Sequence, residues 1–280
     1  MDKLVTLDHV SKHFHVGKGK NLVAVNDISL DIYKGETLGV VGESGCGKST
    51  LGRVVMGIYP ATSGKMLYNG KQVNLRHTKD RYVYSQKAQI IFQDPYASLN
   101  PRMTVGSIIA EGMEIHNMYD KEKRMQRVYE LLETVGLNRE HANRFPHEFS
   151  GGMRQRAALI RTLALQPDLL LLDEPFSALD YQTRLNVSDD IGKIIRRESK
   201  TAILVTHDIS EALSMADRVL ILSARPATVK DIIEVHFDIP DRTPLASRNA
   251  PEFKTYFNLI WKELNDHDST IQGSAAVSAD

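Results

Sequence analysis

The sequence predicts an α/β fold built on a parallel sheet, because short apolar runs alternate with amphipathic segments through its last third. The predicted strands are 168–172, 202–206 and 219–222, and the predicted helices are 181–197 and 210–215. A second indication is the apolar run Thr37–Val41, which leads into a glycine-rich loop and a helix near Lys48. Both observations favour buried parallel strands joined by helices.

The N-terminal part is predicted to form a small antiparallel sheet. Residues 3–10 and 23–32 are short alternating stretches rich in valine, isoleucine and leucine. A glycine-containing turn at 17–20 would join these two strands.

The middle of the chain is predicted to be helical. Apolar residues recur at helical spacing from Lys123 to Val135, and Gly136 supplies a stop. Another helix is expected from Met153 to Leu165, with Ser150 in position to cap it.

Beyond Ser223 the alternating pattern weakens. One more amphipathic helix is expected at 252–264. Residues 265–280 are small and polar, and we expect them to be disordered.

The composition argues against several classes of protein. Lysine and arginine number 35, and so do aspartate and glutamate, so nothing attracts the whole chain to nucleic acid or anionic lipid. The apolar runs are far shorter than the roughly 20 residues that cross a bilayer, and the first ten residues lack a signal-peptide stretch. The single cysteine cannot form an internal disulfide. We expect a soluble chain of the cytoplasm that meets a membrane only through a partner.

The most specific motif is the loop Gly42–Ser49, Gly-Glu-Ser-Gly-Cys-Gly-Lys-Ser. Between a strand and a helix, such a loop turns backbone N–H groups onto phosphate oxygens. Lys48 would reach the outer phosphates, and the Ser49 hydroxyl would ligate Mg²⁺. The expected nucleotide-binding residues here are Gly42, Glu43, Ser44, Gly45, Cys46, Gly47, Lys48, Ser49 and Thr50. The Cys46 thiol is expected to be incidental, yet open to oxidation without nucleotide.

Polar side chains follow three predicted strands, at the sheet edge where ligands collect in open α/β folds. Asp173 suits Mg²⁺, and Glu174 suits a general base for an attacking water. His207 could donate to the γ-phosphate, and Gln93 could orient water or Mg²⁺. Each also has a structural alternative: a helix cap or turn for the acidic pair, a structural histidine, and a solvated turn for Gln93.

Ser150, Gly151 and Gly152 offer a second anion site. Two glycines at the start of a helix fit either a loop end or a phosphate approaching bare N–H groups, and the local sequence leaves both open. A second phosphate site within one chain is redundant, but it could cover nucleotide bound on a partner subunit. Phe14, between the first two predicted strands, could stack on adenine or pack in the core.

These residues resemble the ATP-binding subunits of ABC transporters over about Leu4 to Leu222. The similar motifs are Walker A at Gly42–Ser49, the Q-loop at Gln93, the signature at Phe149–Gln155, Walker B at Leu169–Glu174, the D-loop at Ser177–Asp180, the switch histidine at His207 and the adenine-stacking aromatic at Phe14. The resemblance implies a RecA-like P-loop NTPase core with an antiparallel β subdomain and a helical subdomain at about 95–158. It implies an ATPase domain at 1–224, with a short C-terminal extension at 225–264.

The resemblance also implies a mechanism and partners. Two subunits would form a head-to-tail dimer that holds each Mg²⁺-bound ATP between Walker A of one chain and the signature of the other, with Asp180 among the nucleotide-binding residues. ATP would close the dimer, and hydrolysis would reopen it. Residues 93–104 would receive a helix of a permease membrane subunit, on the cytoplasmic face of the membrane. An extracytoplasmic substrate-binding protein is an indirect partner, and the dimer could be homomeric or heteromeric.

The subfamily signals are mixed. Residues 35–53 and 92–101 resemble importers of oligopeptides, dipeptides and nickel, whereas 206–212 and 225–253 resemble importers of nitrate, sulfonate and taurine. We therefore expect a peptide or nickel importer ATPase, with the nitrate, sulfonate and taurine type as the alternative. An ATPase of translation or DNA repair fits less well, because there is one cassette and residues 93–150 are short and free of cysteine.

Overall fold

The computed structural model describes residues 2–17, 19–91 and 99–266. The strands are β1 (Lys3–His15), β2 (Asn21–Tyr33), β3 (Thr37–Val41), β4 (Ser63–Tyr68), β5 (Lys71–Gln72), β6 (Ala88–Ile91), β7 (Leu169–Asp173), β8 (Thr201–Val205), β9 (Arg218–Leu222) and β10 (Val229–Glu234). The α-helices are α1 (Lys48–Val55), α2 (Thr78–Lys87), α3 (Val105–Ile115), α4 (Lys121–Thr134), α5 (Gly151–Leu163), α6 (Tyr181–Arg197), α7 (Ile209–Met215), α8 (Pro244–Arg248) and α9 (Phe253–Asn265). Short 3-10 helices lie at Arg139–Asn143 and Pro146–Glu148.

The larger sheet has the strand order β10-β9-β3-β8-β7-β6. Strands β9, β3, β8, β7 and β6 run parallel, and β10 is antiparallel to β9. Every residue of β3, β7 and β8 is buried, as expected for strands covered on both faces. The predicted parallel α/β sheet is therefore confirmed. The carboxyl ends of β3, β7 and β8 meet at one edge, where Val205 pairs with both Val40 and Asp173.

The smaller sheet is antiparallel, with the order β2-β1-β4-β5. The predicted pairing of the first two strands is confirmed, although both are longer than predicted. One consequence corrects an expectation: Phe14 does not lie between the strands but within β1, opposite Leu22. Strands β4 and β5 have no apolar alternation strong enough to predict them.

Helices α3, α4 and α5 form a helical layer around a core that includes Ile109, Leu132 and Ile160. Helix α4 starts two residues before the predicted Lys123, because the Asp120 carboxylate caps it by accepting from the Lys123 backbone N–H at 2.9 Å. Its end agrees with the expected stop, since Gly136 has a φ of 70°.

The chain beyond Ser223 joins the larger sheet. Strand β10, which was not predicted, pairs along β9. Helices α7 and α9 pack against this part of the sheet in one hydrophobic cluster, and this cluster includes Val219 of β9 and Ile260 of α9. Helix α9 ends at Asn265, so this first residue of the predicted disordered tail is helical, and residues 267–280 lie outside the described part. Among the described residues, no helix is long and apolar enough to cross a membrane.

Candidate nucleotide-binding site

The predicted phosphate loop connects β3 to α1. Gly47 stands at the N-cap of α1 with a φ of 132°, and a Cβ there would lie 2.5 Å from the carbonyl oxygen of Ala24. Only glycine fits this position. The Lys48 ammonium group is buried and donates to the carbonyl oxygens of Gly42 and Glu43, at 2.8 Å each. The loop thus curls around its lysine, and the helix N-terminus points at its centre.

The position of Cys46 corrects one expectation. Its side chain is 2% exposed and belongs to the core cluster below the loop, next to Gly42. The thiol is therefore packed as a small apolar group and is not open to oxidants in this conformation.

Ser49 and Asp173 meet at the carboxyl edge of the sheet. The Ser49 hydroxyl donates to Oδ1 of Asp173 at 2.7 Å, and Arg53 Nη2 lies 3.1 Å from Oδ2. Asp173 is buried at the end of β7. A hydroxyl and a carboxylate oxygen side by side are hard donors of the kind that Mg²⁺ binds.

Glu174 is held in an unusual backbone conformation, with a φ of 47° in the left-handed region. Its N–H donates to the carbonyl of Val205 at 2.8 Å, and its carbonyl accepts from the hydroxyl of Ser177 at 3.0 Å. Its carboxylate oxygen Oε1 lies 3.5 Å from Nδ1 of His207, whose side chain is 60% exposed. Strain at a fixed polar residue is a common property of functional sites.

A cleft of about 430 Å³ brings the phosphate loop, Glu174 and His207 together, while Asp173 lies buried behind Ser49 and does not line it. Its lining residues are Ser44, Gly45, Gly47, Lys48, Ser49, Thr50, Glu174, His207 and Arg225. The sequence motifs accounted for all of them except Arg225. This arginine comes from the loop between β9 and β10, and no local pattern marks it, because it reaches the cleft from a position 180 residues beyond Gly45.

Other predicted residues lie elsewhere in the subunit. Ser150, Gly151, Gly152 and Asp180 do not line the cleft, and neither does Phe14. Ser150 caps α5 by accepting from the Met153 N–H at 3.3 Å, so the helix starts two residues before predicted and contains both glycines. Asp180 is the N-cap of α6.

Two further predicted residues have different outcomes. The Phe14 ring packs edge-on against Tyr59, with ring centroids 5.3 Å apart. Gln93 lies outside the described residues.

Sequence comparison links this geometry to a known family. The profile of the family described as "ABC transporter" matches residues 25–177. The chain is 51% identical over 220 residues to the oligopeptide transport ATP-binding protein OppF of Bacillus subtilis (strain 168). The alignment covers 78% of this chain and 72% of OppF. It is 38% identical over 259 residues to the uncharacterised ABC transporter ATP-binding protein YtlC of the same strain, covering 92% of this chain and 95% of YtlC.

Structural comparison agrees with the sequence. The fold is similar to that of the ATP-binding cassette MJ0796, in a dimeric post-hydrolysis structure bound to ADP and Pi. The TM-score is 0.72 at 27% identity, and the alignment covers 83% of this chain and 99% of the other. This chain therefore belongs to the ABC transporter family, and it is an ATP-binding cassette with ATPase activity.

Proposed function

We propose that this chain is the ATP-hydrolysing subunit of an importer that takes up oligopeptides or dipeptides through separate membrane subunits. One observation carries the catalytic part: a single cleft is lined by the phosphate loop with Lys48 and Ser49 and by Glu174, and Ser49 is hydrogen-bonded to the buried Asp173. The peptide cargo is supported by 51% identity to OppF, which is named as an oligopeptide transport protein.

The phosphate loop is proposed to bind ATP. Backbone N–H groups at the start of α1 face the cleft, and the Lys48 ammonium group would exchange its two carbonyl partners for phosphate oxygens. Both partners are neutral, so a charged acceptor would bind this ammonium group more strongly.

Ser49 and Asp173 are proposed to hold Mg²⁺. The ion would neutralise charge that develops on the phosphate oxygens during hydrolysis. The two oxygen ligands fit Mg²⁺, which prefers oxygen. Among the described residues, no three histidine, cysteine or acidic side chains are grouped so that they could hold a metal ion without other ligands. Phosphate and water would supply the other ligands, as is usual for this ion.

Glu174 is proposed as the general base and His207 as a donor to the terminal phosphate. The Glu174 carboxylate faces the cleft and is 23% exposed, so it can reach a water there. His207 lies beside it on the loop after β8, where an imidazole N–H can stabilise charge on phosphate oxygens. If Gln93 acts as its motif predicts, it would join this group.

The ATP site is proposed to be shared by two subunits. Ser150 is exposed, and neither it nor the two glycines after it touch the cleft of their own subunit. A Cβ at Gly151 or Gly152 would meet side chains only at 3.4 Å, so packing within the chain does not require glycine. Close approach of phosphate on a partner accounts for both glycines. The partner can be a second copy or a related ATPase.

The permease is proposed to dock beside the helical layer. Tyr82, Val83, Ile115 and Tyr119 are large apolar or aromatic side chains that are 43–59% exposed. Ile115 lines a groove of about 350 Å³, and the Tyr82 hydroxyl donates to the Ile115 carbonyl at 2.9 Å. The groove has apolar lining residues, such as Ile108 and Leu165, and charged ones, Glu111 and Arg161, so it fits a helix with one apolar and one polar face. Such docking would hold the subunit at the cytoplasmic face of the membrane, with a substrate-binding protein on the other side.

A second candidate cargo class is nitrate, sulfonate or taurine. The observation that favours it is the sequence of 206–212 and 225–253, which resembles that importer class. OppF covers 78% of this chain, whereas the uncharacterised YtlC covers 92%. The similarity to OppF therefore leaves about a fifth of the chain unmatched.

Affinity purification would test the proposal. Tagged Glu174→Gln protein is solubilised from membranes with detergent and ATP, and the copurifying proteins are identified by mass spectrometry. We expect a permease of the peptide type, alone or with a second ATPase. A permease of the nitrate or sulfonate type would transfer the assignment to the second candidate. Ribosomes or nucleic acid instead would contradict transport while leaving the ATPase chemistry intact.

A further inference from the structure

The loop between β9 and β10 brings an extra cation to the cleft. Arg225 is exposed and lines the cleft with Lys48 and His207. Its Nε donates to the carbonyl oxygen of Gly45 at 3.0 Å, and its Nη2 donates to the same oxygen. None of the motifs that identify the family includes this residue.

The β9–β10 loop is tied down at both of its ends. The hydroxyl oxygens of Ser223 and Thr228 are 2.9 Å apart, and the Thr228 N–H also donates to the Ser223 hydroxyl at 2.9 Å. Ala227 makes two backbone hydrogen bonds with β2: its N–H donates to the Ala24 carbonyl at 3.1 Å, and its carbonyl accepts from the Asn26 N–H at 2.8 Å. Arg225 is therefore presented from a fixed frame and not from a free surface loop.

The β9–β10 loop also lies against the phosphate loop. A Cβ at Gly47 would lie 3.1 Å from Cβ of Ala227, and a Cβ at Gly45 would lie 3.5 Å from Nη2 of Arg225. The two loops therefore touch at two positions. A nucleotide that contacts Gly45 must come close to the guanidinium group as well.

The charges of the cleft leave Arg225 available for an anion. Within the part of the chain that the structure describes, Glu174 is the one carboxylate that lines the cleft, and it lies beside His207. A guanidinium group has five N–H donors, and Arg225 directs the two hydrogen bonds that it makes within the described residues to one neutral oxygen. Arginine binds phosphate more strongly than a carbonyl, because the hydrogen bonds are charge-assisted.

We propose that Arg225 is a nucleotide-binding residue whose guanidinium group contacts the polyphosphate of ATP. Arg225 then contributes more to the binding of a nucleotide with three phosphates than to that of one with fewer. The proposal rests on the assignment of the cleft to ATP, and it gives the chain beyond Ser223 a direct contact with the bound nucleotide. In the competing explanation, Arg225 only positions the Gly45 carbonyl.

Two variants of the full chain separate these explanations. Arg225→Gln removes the charge but keeps an amide that can donate to Gly45, and Arg225→Lys keeps the charge. Arg76→Gln is the matched control, because Arg76 is also exposed and donates to a carbonyl, that of Ala61 at 3.0 Å, away from the cleft. Dissociation constants for ATP, ADP and AMP are measured by competition with a fluorescent nucleotide, at low and high salt.

For Arg225→Gln we expect about 10-fold weaker ATP binding, a smaller loss for ADP and almost none for AMP. Arg225→Lys should retain most of the affinity, and the ATP dissociation constant of Arg225→Gln should respond less to salt than that of the wild type. An equal loss for all three nucleotides would overturn the proposal in favour of loop positioning, and an unchanged ATP affinity would overturn it outright. Failure of the wild-type chain to bind ATP would refute the proposed function instead.

Discussion

The Ser49 hydroxyl donates a 2.7 Å hydrogen bond to Oδ1 of Asp173, although the two residues are 124 positions apart in the chain. Arg53 engages the other carboxylate oxygen at 3.1 Å. The phosphate loop and the end of β7 are thereby joined through one buried carboxylate. The two oxygen atoms proposed to bind Mg²⁺ are already held side by side without the ion, and this reduces the entropic cost of binding it.

Replacing Ser49 with alanine should weaken the response to Mg²⁺. Alanine removes one of the two oxygen donors while Asp173 keeps its bond to Arg53. We expect half-maximal ATPase activity to require about 10-fold more Mg²⁺, as for the loss of a metal-orienting group. The measurement is ATPase rate against Mg²⁺ concentration, with Ser63→Ala, at an exposed position of β4, as the control. Identical Mg²⁺ curves for wild type and Ser49→Ala would rule out this ligand assignment.

Replacing Lys48 with alanine should abolish ATP binding at micromolar nucleotide. The variant loses the buried ammonium group and its hydrogen bonds to the carbonyls of Gly42 and Glu43, of which the Glu43 carbonyl keeps the Cys46 N–H at 3.2 Å. Equilibrium binding of a fluorescent ATP analogue is the measurement, and Lys65→Ala, at an exposed position of β4, should bind normally. Unchanged nucleotide affinity in Lys48→Ala would sink the assignment of the loop.

Glu211 should make stability depend on pH. Burial raises its pKa above the ordinary value of 4.5 and Asp208 adds to this, against the Thr206 hydroxyl and Arg184. The folded chain then keeps this proton at pH values where the unfolded chain has lost it. The corresponding stability is complete below pH 4.5 and is lost as the pH rises through the raised pKa.

Glu211→Gln stays neutral at every pH and does not lose this contribution. The free energy of unfolding of the variant minus that of the wild type should therefore increase as the pH rises from 4.5 through the raised pKa. Above that pKa the difference should level off. Urea unfolding at a series of pH values measures it, and Glu198→Gln at the exposed end of α6 is the control. A difference that shrinks as the pH rises would show that the carboxylate is stabilised by its surroundings.

Strongly patterned elements could be read from the sequence. Helix α6 has the predicted bounds, because its apolar stripe is long and Asp180 caps it. The all-apolar run of β7 also predicted a buried strand. Helix α2 was missed because only one of its residues, Tyr84, is buried, so it carries no apolar stripe.

The cleft was largely predictable because its motifs are local. Lys48 and Ser49 are set by one loop, and Glu174 and His207 by the ends of adjacent strands. Arg225 could not be predicted, because a pairing between β9 and β10 and two bonds to β2 bring it there. Burial of Cys46 was unpredictable for the same reason, since it depends on tertiary packing below the loop.

The central claim is that ATP is held between two subunits, and size-exclusion chromatography of Glu174→Gln tests it most directly. We expect this variant to bind ATP without turnover, because it lacks the proposed base, and so to elute as a monomer without nucleotide and as a dimer with Mg²⁺ and ATP. Adding Ser150→Arg should leave ATP binding intact but abolish the dimer, because Ser150 is remote from the cleft of its own chain. An ATP-dependent dimer that survives Ser150→Arg would contradict the shared site.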